Sequence, residues 1–156
     1  MMNKPTIYFD MDGTIADLYG VKDWLSALRS NNPMPYREAK VMHNMSHLAR
    51  LLNKLQTQGH KIGIISWCSK TGNAEFNLET EYAKRKWLAE HLRSVHFDEI
   101  HILPYGVAKH TFVKNKDILF DDEQKNRDEW REAGGHAYSQ EHICRILKII
   151  YKWGVA

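Results

Sequence analysis

The chain has 156 residues, of which 43% are hydrophobic and 26% charged, and its formal net charge is +3. That length suits one domain with a core of its own, and the balance excludes a disordered chain. No run approaches the roughly 18 apolar residues of a membrane span, and the mild positive charge favours anionic solutes while falling short of a nucleic-acid footprint.

The opening Met1-Met2-Asn3-Lys4-Pro5 leads straight into a strand-like run, without the apolar stretch of a signal peptide. Cys68 and Cys144 are far apart and have no metal-type spacing. The expectation is a cytoplasmic protein with reduced thiols and no membrane partner.

Residues 6–10 read as a buried strand, closed by a turn at Gly13. Leu18, Val21, Trp24, Leu25 and Leu28 recur at helical spacing and predict a helix over 15–28, broken by Asn31-Asn32-Pro33. Val41, Met45, Leu48, Leu51, Leu52 and Leu55 predict a second helix over 38–58, with Gly59 as its C-cap. A second strand is expected over 61–66, then a polar loop over 67–73. A long helix over 74–93 follows, with Leu78, Tyr82, Leu88 and Leu92 as its apolar face. Further strands are predicted at 99–102, 117–120 and 136–138, and helices at 124–133 and 140–151.

Strands alternating with helices imply a parallel sheet covered on both faces, with ligands beyond the carboxyl ends of its strands. The predicted fold class is α/β, a Rossmann-like three-layer sandwich with a five-stranded, mostly parallel sheet. The whole of 1–156 is read as one domain. About 50 residues separate the first two strands, more than one crossover helix needs, and a small helical cap is expected within 17–45.

Asp10, Ser66 and Asp121 all fall at predicted strand ends. Asp10 and Asp12 alternate along an extended segment and share a side. Clustered carboxylates repel one another, and a divalent cation compensates them. Magnesium suits because it takes oxygen ligands and spans carboxylate and phosphate. On this reading Asp10 attacks phosphorus, Asp12 moves the proton, Asp121 completes the cation site, and Asp122 adds to it from behind or through a water. Ser66 supplies a donor to the phosphoryl oxygens, and Lys109, from the loop after the third strand, supplies the positive charge; Lys70, Lys84 and Lys114 are its rivals.

These residues carry a resemblance. Asp10-Met11-Asp12-Gly13-Thr14 matches the DxDGT signature of the haloacid dehalogenase-like (HAD) hydrolase superfamily, Ser66 its second motif, Lys109 its lysine, and Asp121-Asp122 its terminal acidic pair. The resemblance implies that Asp10 is the nucleophile, Asp12 the general acid/base, and Ser66 and Lys109 the holders of the phosphoryl group. It also implies Mg2+ on Asp10, the carbonyl of Asp12 and Asp121. An acidic residue at position 12 favours phosphatases over dehalogenases. The run through Asp17 resembles the 5'(3')-deoxyribonucleotidase branch, from which Ser66-Trp67-Cys68-Ser69 departs. The expected substrate is a small phosphorylated metabolite, with a nucleotide preferred, a sugar phosphate next, and a nucleic-acid end not favoured. The contrasting expectation is a phosphate-binding module without turnover.

Several other residues have two readings. Trp24, Met34, Tyr36, Met42 and Met45 are expected in the core, with a pocket lining as the alternative. Trp67 packs in its loop or stacks on a base. Asp17 reaches the pocket or caps a helix, Cys68 is a packing residue, and Lys84-Arg85-Lys86 is a solvated helix face.

Overall fold

The computed structural model describes residues 3–155; Met1 and Met2, the first residues of the expected leaderless start, and Ala156 lie outside them. The chain opens with β1 (Ile7–Phe9) and a two-residue strand, β2 (Ala16–Asp17). The helices α1 (Trp24–Arg29) and α2 (Met34–Glu38) follow, and β3 (Lys40–Val41) returns to pair antiparallel with β2. Next come α3 (Met45–Thr57), β4 (Ile62–Trp67), α4 (Ala74–His91) and β5 (Glu99–Leu103). The chain closes with β6 (Ile118–Phe120), α5 (Gln124–Glu132), β7 (His136–Tyr138) and α6 (Ile143–Trp153). No helix among the described residues is long and apolar enough to cross a membrane.

The main sheet has the order β5-β4-β1-β6-β7, and every pairing in it is parallel. The strands carry apolar residues on both faces, as a doubly covered sheet requires. Ile7, Phe9, Ile62, Ile64, Ile118 and Phe120 pack with residues of α3, α4 and α6 in the larger core. Tyr8, Ile65, Leu119 and Ala137 face the other way, onto Trp130 of α5, with Phe112 and Val113 from the loop between β5 and β6. The result is an α/β three-layer sandwich. The chain runs outward from β1 to β4 and β5, then crosses back to β6 and β7, so the strand order reverses at β1. Parallel sheets take their ligands at such a reversal.

Two of the predicted helices are shorter than their periodicity implied. Residues 15–28 hold β2, a 3-10 turn at Leu18–Gly20 and the start of α1, because the Asp17 carboxylate accepts the Gly20 N–H at 3.1 Å and a side-chain cap closes the turn. The second begins at Met45 and not near 38, because the Asn44 side chain accepts the His47 N–H at 3.1 Å and sets the N-terminus there. Its other end is as expected. Gly59 adopts φ +101°, its N–H reaches the Gln56 carbonyl at 3.0 Å, and the His60 N–H reaches that of Leu55 at 3.1 Å. The final helix is preceded by a 3-10 turn at Gln140–His142.

The long helix turns a different face inward over its first half. Leu78 and Tyr82 are 71% and 62% exposed, while Phe76, Thr80, Ala83, Lys84 and Trp87 are buried, and Leu88 and Leu92 are buried as expected. The buried residues recur at helical spacing, and before Leu88 their stripe is offset by two residues from the expected one. The stripe seats the insertion between β1 and α3. Trp87 Nε1 donates to the Ala39 carbonyl at 2.7 Å, and Arg37 pairs with Glu90 at 2.7 Å. Leu18, Leu28 and Tyr36 join Phe76 and Ala83 in a small core of their own. Trp87→Phe should therefore leave a buried carbonyl without a donor and cost about 1–3 kcal/mol, read as a lower denaturant midpoint. An unchanged midpoint would mean that this bond does not fasten the insertion.

Candidate active site

The segment after β1 coils around one carbonyl. The Met11 oxygen accepts the N–H groups of Thr14, Ile15 and Ala16 at 3.0–3.1 Å, and the Gly13 N–H reaches the Ala16 oxygen at 2.9 Å. Met11 itself is 1% exposed and points into the larger core. Gly13 sits at φ +77°, where a Cβ would collide with the Asp122 carboxylate and the Tyr19 ring.

Parallel register brings the next two carboxylates together. Phe9 is level with Phe120, and the Asp10 N–H donates to the Phe120 oxygen at 2.9 Å, so Asp10 and Asp121 leave adjacent strands side by side. Both are buried. Carboxylate oxygens of Asp10, Asp121 and Asp122 lie within 4.8 Å of one another, placed to coordinate a divalent cation. The Thr14 hydroxyl stands between two of them, 3.1 Å from Asp10 Oδ2 and 3.3 Å from Asp122 Oδ1, and accepts the Asp122 N–H at 3.1 Å. Asp121 is held further by the Glu123 N–H at 2.9 Å and Asn126 Nδ2 at 3.2 Å.

Lys109 reaches this cluster from the 3-10 turn Lys109–Phe112, in the crossover that passes from β5 to β6. It is 3% exposed, and its Nζ donates to Asp10 Oδ1 at 3.0 Å and Asp121 Oδ2 at 2.8 Å. Burial works against its charge, but Asp10 and Asp121 outweigh it and hold the ammonium above its ordinary pKa.

Asp12 stands apart from that trio. Its Oδ2 accepts Lys84 Nζ at 2.8 Å, and the same ammonium donates to Ser66 Oγ and the Trp67 carbonyl, each at 2.7 Å. Lys84 is 1% exposed, which corrects the expectation of a solvated run for that residue, while Arg85 and Lys86 are exposed as expected. Lys84 lies on the same helical stripe as Phe76, Thr80 and Trp87, but Leu78 and Tyr82 offered a competing stripe in the sequence. Ser66, at the end of β4, is fully buried. Lys70 lines the cavity above, while Lys114 does not.

That cavity holds about 300 Å3 and opens between the sheet ends and the insertion. Its floor includes Asp10, Asp12, Lys109, Asp121 and Asp122. Tyr19, Trp24, Leu25, Leu28 and Tyr36 come from the insertion, Trp67 from the end of β4, and Tyr105 from the loop after β5. Tyr36 is buried in the small core of the insertion, as expected, and also lines the cavity; Trp24 packs partly buried on that core and lines the cavity too. Met34 and Met42 are exposed, and Met45 packs partly buried on the core. Trp67 is fixed by its Nε1 on the Val107 carbonyl at 2.8 Å and by the Tyr105 ring 5.1 Å away. Cys68 is buried and unpaired, its thiol pushed up first by burial. Asp17 caps its turn.

Burial, then the Asp10 charge, pushes Asp121 up to about 6 and Asp122 up to about 8, against an ordinary 3.8. Burial likewise raises Asp12, with Lys84 opposing it. A pKa raised in the folded state favours the protonated form, so the stability tied to Asp121 and Asp122 is complete below their unfolded value. It is lost as pH rises through about 6 and about 8. The donor set, three carboxylates with oxygen only, fits a hard cation that would offset that cost. The rise in melting temperature on adding Mg2+ should therefore be larger near pH ~8 than near pH ~5. Equal gains would place the ion elsewhere. Gly13→Ala should displace Asp122 and reduce the gain at both.

No family model and no curated protein sequence matches the chain. Among solved structures it is similar to a protein described as a HAD-like phosphatase from Mesorhizobium loti, at 13% identity over 100% of this chain and 90% of that one, with a TM-score of 0.61. It is also similar to the D,D-heptose 1,7-bisphosphate phosphatase from Burkholderia thailandensis, at 16% identity over 85% and 75%, with a TM-score of 0.53. At these identities the likeness is one of fold alone.

Proposed function

We propose that the protein is a magnesium-dependent phosphatase that hydrolyses a small phosphomonoester through an aspartyl-phosphate on Asp10. The observation that carries this reading is the separation of two carboxylates that have a single residue between them. Asp10 lies in the cation-ready trio under Lys109, while Asp12 is drawn out of it by Lys84. A site that only bound phosphate has no use for a nucleophile beside an independently held acid.

In the first step a carboxylate oxygen of Asp10 bonds to phosphorus, the bond from phosphorus to the ester oxygen breaks, and Asp12 gives its proton to the departing oxygen. In the second, Asp12 takes a proton from water as that water attacks phosphorus. Inorganic phosphate leaves and the Asp10 carboxylate is restored. Lys109 and the Ser66 hydroxyl stabilise charge on the phosphoryl oxygens. Asp10, Asp121 and Asp122, with the Asp12 carbonyl, would hold Mg2+, which when bound supplies positive charge against those oxygens. The raised Asp12 suits it to carry a proton into the first step.

The aromatic walls support a nucleoside monophosphate as the preferred substrate. Tyr19, Trp24, Tyr36, Trp67 and Tyr105 offer ring faces around a cavity of about 300 Å3, the size of a small-molecule site. Residues 17–45 serve as a cap over it.

Phosphate release should be measured with Mg2+ across nucleoside monophosphates, sugar phosphates and an aryl phosphate. The expected result is turnover that is lost with a chelator and highest on a nucleotide. Asp10→Asn should reduce turnover by about a thousandfold or more while the melting temperature holds. Turnover that survives Asp10→Asn would defeat the covalent route, and a folded, Mg2+-loaded protein inert on the whole panel would defeat the phosphatase reading.

A further inference from the structure

Two buried lysines bond carboxylates of the cavity floor, and their hydrogen bonding divides them. An ammonium has three donors. Lys109 donates to Asp10 and Asp121, and its Nζ lies 5.0 Å from the Trp67 ring centroid, so a donor remains for an incoming anion. Lys84 has spent all three, on Asp12 Oδ2, Ser66 Oγ and the Trp67 carbonyl, at 2.7–2.8 Å. It is 1% exposed and lies beneath the cavity instead of lining it.

We infer that Lys84 is a positioning residue. It does not bind the phosphoryl group; it turns the Asp12 carboxylate out of the cation trio and toward the leaving group, and it sets the Ser66 hydroxyl as a donor. Three observations carry this. Without the Lys84 ammonium, nothing else among the described residues is seen to bond the Asp12 carboxylate, and repulsion from Asp10, two residues away, is opposed only by the weaker pull of the Lys109 charge. Because Ser66 Oγ accepts from Lys84, its own proton is left to give to an anion. Tyr36 of α2 lies under the same ammonium, its ring centroid 4.7 Å from Nζ, and Trp87, one turn along α4, holds the Ala39 carbonyl. The stripe of α4 that seats the insertion therefore also aims the acid.

The inference rests on the phosphatase reading for its kinetic consequence but not for its geometry. Lys84→Met removes the three donors at similar length. In a crystal structure of this variant the Asp12 carboxylate should have left its place beside Ser66; a carboxylate unmoved would overturn the proposal. In the Mg2+-loaded enzyme, kcat on an alkyl phosphate, whose leaving oxygen needs a proton, should fall about a hundredfold. On an aryl phosphate with an electron-poor phenol, which departs without one, it should fall only a few-fold. Inhibition by inorganic phosphate should weaken by no more than about fivefold, through a less firmly held Ser66 hydroxyl, since Lys84 itself makes no contact with phosphate. Equal losses on both substrates, or phosphate inhibition weakened as much as the alkyl phosphate turnover, would make Lys84 a structural or phosphate-binding residue and overturn the proposal.

Should the single variant fail to fold with Asp12 left unpaired, Asp12→Asn with Lys84→Met carries no unpaired charge. Measured against Asp12→Asn alone, the second substitution should add less than about a threefold loss on the alkyl phosphate, and a further large loss would overturn the proposal. A wild-type protein inert on every phosphomonoester would defeat the phosphatase reading and leave the position of Asp12 in the variant to decide this one.

Discussion

The structure is organised around negative charge held where water is scarce. Asp10 and Asp121 are buried side by side at the ends of two parallel strands, with Asp122 against them. Removing such groups from water costs several kcal/mol each, and their mutual repulsion adds to it. Two features keep the arrangement in place. The Lys109 ammonium bridges Asp10 and Asp121, and the Thr14 hydroxyl sits between Asp10 and Asp122. Both depend on strand register. With Phe9 level with Phe120, the two carboxylates leave the sheet together, and a slip of one residue would send one of them to the opposite face.

Much of this was legible in the sequence because the relevant signals are local. Apolar runs ending in acids mark β1 and β6, and the strands, α4, α5 and the C-terminus of α3 follow from period and punctuation. What was not legible depends on partners distant in sequence. The insertion has helical spacing of apolar residues, but short side-chain caps at Asp17 and Asn44 divide it into pieces. On α4, Leu78 and Tyr82 are more apolar than Thr80 and Lys84, so composition selects the outer stripe over the first half of the helix. Only the presence of Asp12 and Ser66 under that helix makes a lysine acceptable in its buried face.

Met11 shows how close the two environments lie. Its side chain enters the larger core while its carbonyl gathers three N–H groups, and the residues on either side of it face the cavity. A three-residue segment thus joins the packing of the sheet to the placement of both acids. The site is anchored on this side by the burial of Met11 in the larger core.

The insertion is attached along one edge. Tyr36, Arg37 and Ala39 meet α4, while Tyr19, Trp24 and Leu25 form cavity wall nearer the solvent. Changes in the outer wall can reshape what enters without disturbing the acid, since the aromatic side chains there bear no part of its support. Selectivity and reactivity are consequently separable properties in this molecule, open to independent drift or redesign.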